Sequence, residues 1–337
     1  MMHSARVLHR LPVVPLRQAR IGIVSSARCY STPTPSSHEP VDLAYDLITP
    51  EDGNKTDKPL VIIHGLFGSK RNWSSVSKSF ARTLKRPVYT LDLRNHGVSP
   101  HARPMTYPAM AADVLHFFKK HNLTNVALLG HSMGGKVAMT AALSLPSSSP
   151  YLPPSSKSLK PSPSPSPSHS PSSSTQEVLS HLIIEDIAPS NGRLSPEFYE
   201  YVRLMTKVNN DGVKTRKEAD AVLAIYEKDE SVRQFLLTNF TPGTESEPGQ
   251  FKLPMDILQE HTDDLGKFEV GKGRRWEGKT LFVKGEKSRF LNPKNIPLAH
   301  QFFPNLDLVS LIAGHWVHAE KPGEFMKEVG EFLEKDS

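Results

Sequence analysis

Ser132 stands in Gly130-His131-Ser132-Met133-Gly134, a G-x-S-x-G pattern. Apolar Val126–Leu129 precedes it and the helix-forming run Gly135–Leu143 follows. A strand that turns sharply into a helix at a serine lifts the hydroxyl out of the sheet toward a reactant. The first turn of the helix beyond it favours nearby negative charge. A serine hydroxyl is a weak nucleophile at neutral pH and needs a base. His315, in Ala313-Gly314-His315-Trp316, is the candidate base, because it follows the last apolar strand near the end of the chain. His131 adjoins the serine, and its side chain is expected to face away from the hydroxyl. The chemistry these residues suit is acyl transfer through a covalent serine ester.

A third group must orient the imidazole. The turn after Leu281-Phe282-Val283-Lys284-Gly285 is the usual place for it, but there the chain offers Glu286 and Ser288. Asp186 ends Leu182–Ile187, the strand just beyond the nucleophile strand, and is the preferred acid. Asp256 is the next candidate, then Glu286, with Ser288 as an assisting hydroxyl. An oxyanion needs two backbone N–H donors. Met133 supplies one, and Leu66 in His64-Gly65-Leu66-Phe67-Gly68 the other, with Phe67 close behind. Asp92-x-Arg94-Asn95-His96-Gly97 also ends a strand. Asp, Asn and Gly build turns there, and Arg94 is a lesser candidate for an anionic part of a substrate. No G-x-G-x-x-G, phosphate-binding loop or H-E-x-x-H pattern occurs, so neither cofactor nor metal is expected.

These residues need a sheet to hold them. Leu60–His64, Val88–Leu93, Val126–Leu129, Leu182–Ile187, Leu281–Lys284 and Leu306–Ile312 read as buried strands. Helical stretches at Asn72–Leu84, Tyr107–His121, Met133–Leu145 and Pro322–Leu333 separate them. That alternation predicts an α/β fold with a mostly parallel central sheet flanked by helices. Val41–Ile48 alternates in the manner of an antiparallel edge strand. Residues 195–270 break the rhythm with polar, helical stretches and are expected to cap the site. One domain therefore spans residues 40–145 and 176–335.

Two segments stand apart. Residues 1–38 carry five arginines and no acid, and Arg28-Cys29-Tyr30-Ser31 resembles a matrix-processing site. Residues 1–30 are therefore expected to be a mitochondrial transit peptide, directing the chain to the matrix. Removing five arginines takes the formal net charge from +6 to +1, which leaves no basic patch pointing to nucleic acid. Cys29, the single cysteine, leaves with it. No 18-residue apolar run occurs, so no stable membrane span is expected. Residues 146–174 hold 9 Pro and 14 Ser, and the stretch 146–175 is expected to be a disordered insertion.

Taken together, His64–Ser69, Asp92–Pro100, Gly130–Lys136, Asp186-Ile187-Ala188-Pro189 and Gly314–Pro322 resemble one branch of the α/β-hydrolase superfamily. That branch holds the bacterial YbfF-type esterases, the mitochondrial α/β-hydrolase domain-containing protein 11 group and fungal ethanol acetyltransferases. The resemblance spans roughly residues 40–335. It implies the α/β-hydrolase fold and cleavage of a small-molecule ester or thioester. The alternative it leaves open is acetate-ester formation from acetyl-CoA and an alcohol such as ethanol. Asp186 matches a proposed acid of the branch, whereas some relatives place the acid in the cap, near Asp256. A matrix scaffold without catalysis is a third reading, and an intact Ser132 and His315 oppose it.

Overall fold

The computed structural model describes residues 39–51, 58–145, 149–150, 178–270 and 273–335. The basic leader at 1–30 and nearly all of the Ser/Pro segment lie outside those residues.

Short runs of apolar, β-branched residues make the strands. β1 (Tyr45–Ile48), β2 (Leu60–Ile63), β3 (Val88–Leu91) and β4 (Val126–His131) come first. β5 (Ser149–Pro150) is a two-residue strand, followed by β6 (Leu179–Glu185). β7 (Phe240–Thr241), β8 (Gln250–Phe251) and β9 (Arg274–Arg275) are again two-residue strands, and β10 (Lys279–Gly285) and β11 (Leu306–Leu311) close the set. Seven of these form one sheet in the order β1-β3-β2-β4-β6-β10-β11. Every pairing in it is parallel except β1 with β3 at the edge.

Successive strand side chains point to opposite faces, and both faces are covered. On one face Leu60, Ile62, Ala127, Leu129, Ile183 and Val283 meet α1 (Ser74–Leu84) and the C-terminal helix through Phe80, Phe325 and Val329. On the other, Val61, Ile63, Leu128, Leu182, Ile184 and Phe282 meet α2 (Tyr107–Lys120) and α3 (Met133–Ser144). Helix α3 is buried from Met133 through Leu143, which explains its small residues. The cap comprises α4 (Pro196–Asn210), α5 (Arg216–Leu223), α6 (Glu230–Leu236) and α7 (Met255–His261). It leaves the body after β6 and returns before β10. The chain then adds α8 (Ile296–Phe302), α9 (Val317–Glu320) and α10 (Pro322–Glu334).

The predicted elements are present, with shifted ends. β3 stops at Leu91 because Asp92 opens a turn, its carboxylate accepting the amides of Lys70 (2.7 Å) and Val98 (3.0 Å). β6 stops at Glu185 because Asp186 takes φ 49°, outside the strand region. Val41 and Leu43 are buried as expected, but ladder pairing begins only at Tyr45.

Candidate active site

The sharp turn at Ser132 is a property of its neighbours. Ser132 has φ 53° and ψ −117°, a conformation that side chains rarely adopt and that surrounding structure must enforce. A Cβ on Gly130 would run into the Gly134 carbonyl, and one on Gly134 into the His64 carbonyl of the next strand's loop. Only glycine at both positions lets strand, turn and helix pack so closely. The Ser132 amide donates to the Glu185 carbonyl at 3.0 Å, fixing the turn against β6.

The loop after β11 brings His315 over the serine. Its Nε2 lies 2.9 Å from Ser132 Oγ, and its Nδ1 lies 2.7 Å from Asp186 Oδ2. Asp186 is fully buried, and its other oxygen accepts the Gly285 amide at 3.0 Å. A carboxylate so held accepts the Nδ1–H hydrogen bond, keeps the proton on Nδ1 and leaves the Nε2 lone pair facing the hydroxyl. Phe290 packs on the imidazole at a centroid distance of 4.2 Å, limiting its rotation.

The other candidate acids stand elsewhere. Asp256 is at the surface, with a side chain 71% exposed and bound to Arg103 at 2.8 Å. Glu286 is exposed, and the Ser288 hydroxyl accepts the Phe290 amide at 3.3 Å. Arg94 is not free for a ligand: its guanidinium grips Asp113 with two 2.6 Å bonds, and both side chains are buried.

The loop of Leu66 and Phe67 covers the serine, since a Cβ on Gly65 would sit 3.2 Å from Ser132 Cβ. The Phe67 amide is already occupied, donating to His96 Nε2 at 3.2 Å. Its carbonyl accepts Asn239 Nδ2 at 2.7 Å, so both sides of residue 67 are clamped. The Leu66 and Met133 amides have no acceptor among the described residues and flank Ser132 in the same chamber. An oxyanion formed at Ser132 would meet those two donors.

Two histidines hold this loop in neutral form. His64 Nε2 accepts the Leu93 amide at 3.1 Å while Nδ1 faces the Gly65 carbonyl at 2.8 Å. His96 Nδ1 faces the Arg94 carbonyl at 3.1 Å. Burial pushes His64 down to about 4 and His96 down to about 3. Behind the site, His131 faces away from the hydroxyl, its Nε2 3.0 Å from the His315 carbonyl, and burial pushes it down to about 3. His131, Glu185 and His318 form the one buried trio of metal-ligand types found among the described residues. Hydrogen bonds account for it: Glu185 accepts both the amide and Nδ1 of His318 at 2.8 Å. Trp73 stacks on His318 at 4.0 Å. The positioning roles of His96, Asn239, Glu185 and His318 are long-range and left no local signal beyond the turn residues around His96.

Two chambers meet at Ser132. One, of about 240 Å³, is walled by Phe67, Phe198, Tyr201, Phe235, Phe290 and Trp316. The other, of about 260 Å³, runs past Met133 and Lys136 toward Arg193 and Arg289. The cap forms much of both, and its two stems are tied to the nucleophile helix. Lys136 Nζ donates to the carbonyls of Ser190 (3.0 Å), Gly266 (3.1 Å) and Lys267 (3.0 Å). Burial lowers this lysine to about 8.

Sheet order, the strained serine between strand and helix, and a late histidine define an α/β hydrolase. Residues 58–149 match the family model described as the alpha/beta hydrolase fold. The chain is 36% identical over 301 residues to the protein named sn-1-specific diacylglycerol lipase ABHD11 of Xenopus tropicalis, covering 87% of this chain and 82% of that one. It is 33% identical over 320 residues to a Saccharomyces cerevisiae protein named probable alcohol acetyltransferase, covering 88% and 84%. Among solved structures, one titled marine microorganism esterase superposes with a TM-score of 0.71 at 31% identity, covering 87% of this chain and all of that one. The chain belongs to the α/β-hydrolase family, in a branch that holds both lipase and acetyltransferase relatives.

Proposed function

We propose that the chain is a serine hydrolase that cleaves carboxylic esters or thioesters through an acyl-Ser132 intermediate. The observation that carries this reading is the continuous chain Ser132 Oγ–His315–Asp186, at 2.9 and 2.7 Å. His315 Nε2 takes the hydroxyl proton as Oγ bonds to the acyl carbon, and Asp186 stabilises the imidazolium so formed. The carbonyl oxygen becomes an oxyanion received by the Leu66 and Met133 amides. As the intermediate collapses, His315 returns the proton to the departing alcohol or thiol. Water, deprotonated by the same nitrogen, then releases the acid and regenerates Ser132.

Esterase and lipase relatives support this reading. A second reading has an alcohol instead of water take the acyl group, and the acetyltransferase relative favours it. Both share one intermediate. Incubation with acetyl-CoA with and without ethanol separates them by the ratio of ethyl acetate to free acetate. The arginine-rich, acid-free leader supports a matrix location, which residues 1–30 fused to a fluorescent reporter would test. Fluorophosphonate labelling of the wild type, lost in Ser132→Ala, is the expected outcome for the nucleophile. Labelling that persists in the variant would overturn it.

A further inference from the structure

The two chambers that share Ser132 differ in chemistry. The first is walled mostly by aromatic and aliphatic side chains and suits an acyl chain. Three cations and no carboxylate line the second: Lys136, Arg193 and Arg289. Past Arg193 and Arg289 it opens into a wide surface cleft of about 1220 Å³, which Lys267, Glu200 and Asp263 also line.

These cations differ in what they have to offer. Lys136 is buried, and its three N–H donors are filled by backbone carbonyls. It has no carboxylate partner, so the charge it places beside the chamber is offset only by those carbonyl dipoles. Arg289 is anchored at the mouth by Ser195 and Glu197 and lies over the Phe290 ring at 5.8 Å. Arg193 is exposed and makes no hydrogen bond or ion pair among the described residues. Its guanidinium is open to a ligand, and with Arg289 it brings two guanidinium groups, the kind that pair with phosphate oxygens, to the place where chamber and cleft join.

We propose that the alcohol or thiol portion of the substrate carries a phosphate group, which Arg193 and Arg289 bind at the mouth of the second chamber. This rests on the acyl-serine reading and names the substrate class for it. The acyl chain lies in the aromatic chamber, the carbonyl at Ser132, and the leaving group extends past Lys136 to the arginines. A phosphate in that position could belong to an acyl-coenzyme A thioester or to an acylglycerol phosphate.

The test uses two matched pairs with one acyl chain: acyl-coenzyme A against the acyl thioester of N-acetylcysteamine, and 1-acylglycerol 3-phosphate against 1-acylglycerol. The readout is the ratio of kcat/KM for the charged over the neutral member, in wild type, Arg193→Gln and Arg193→Lys. In at least one pair the ratio should fall about tenfold in Arg193→Gln, through KM, the scale of one charge-assisted contact, and be only partly restored in Arg193→Lys, which keeps the charge without the planar fork. The pair that responds identifies the source of the phosphate. The wild-type ratio should also fall as salt rises. A ratio that moves in neither pair, with melting temperatures unchanged, overturns the inference. Loss of all turnover in Ser132→Ala alongside an unmoved ratio would sink the phosphate site and leave the acyl-serine reading standing.

Discussion

Ser132, His315 and Asp186 come from three different loops, and each is useful only while the other two hold still. Asp186 matters most for the tautomer of His315, because its Oδ2 fixes the proton on Nδ1. Asp186→Asn should therefore lower kcat by about 10³- to 10⁴-fold, with KM far less affected. Asp256→Asn, whose parent side chain pairs with Arg103 at the surface, should stay within about twofold of wild type. Steady-state kinetics on one ester decides between the two carboxylates, and a larger loss in Asp256→Asn would reverse the assignment. The serine and the histidine were legible in their motifs because elbow and loop chemistry is local. The acid was less so, since a strand-end aspartate and a cap aspartate differ only in where the fold puts them. His64, His96 and His131 illustrate the same limit: nothing local distinguishes a buried neutral histidine from an exposed one. In the folded chain they stay unprotonated well below the ordinary imidazole value of 6.5, whereas the unfolded chain binds protons there. Stability is therefore unaffected above pH 6.5 and falls as pH drops from 6.5 toward 4, by up to about 1.4 kcal/mol per pH unit for each histidine. Urea unfolding at pH 7 and pH 5 measures this, and equal midpoints would contradict the neutral assignment.

The elements are placed by apolar patterning, and that pattern was plain in the chain. β2 reads Leu-Val-Ile-Ile, with alternate residues feeding opposite cores, and such a strand fits only the interior of a covered sheet. Strand ends were harder, because they depend on single residues: Asp92 begins a turn by accepting amides from two distant residues. The short helix α8, with proline in its first turn, has too few residues to show a period. The cap's helices were visible as a break in the α/β rhythm, but their attachment was not. That attachment depends on Lys136, which joins both stems to α3, together with Tyr107 Oη donating to the Leu265 carbonyl at 2.8 Å. Lys136→Met keeps the apolar stem and leaves those carbonyls without their shared donor. It should lower stability by about 1–3 kcal/mol and speed amide exchange at residues 190–192 and 266–268 more than in the central sheet. Exchange that rises uniformly across the chain would show that the lysine supports the whole fold and not the cap stems in particular.

On the scale of the whole molecule, a doubly covered sheet carries Ser132, and a separately tied cap lines the chambers beside it. Among the described residues no helix is long and apolar enough to cross a membrane. The body positions Ser132 and the cap lines both chambers beside it, in a family whose relatives include proteins named for lipase and for acetyltransferase activity. The proposed reaction passes through one covalent intermediate, an acyl group on Ser132. Its direct detection is the measurement that tests the account most squarely. Rapid quenching after mixing with an activated acetate ester, followed by mass spectrometry of the digested protein, should find one acetyl group on the peptide bearing Ser132. The adduct should persist longer in His315→Gln that has been acylated chemically, and be absent from Ser132→Ala. An acetyl group on another residue during turnover, or full turnover by Ser132→Ala, would contradict it.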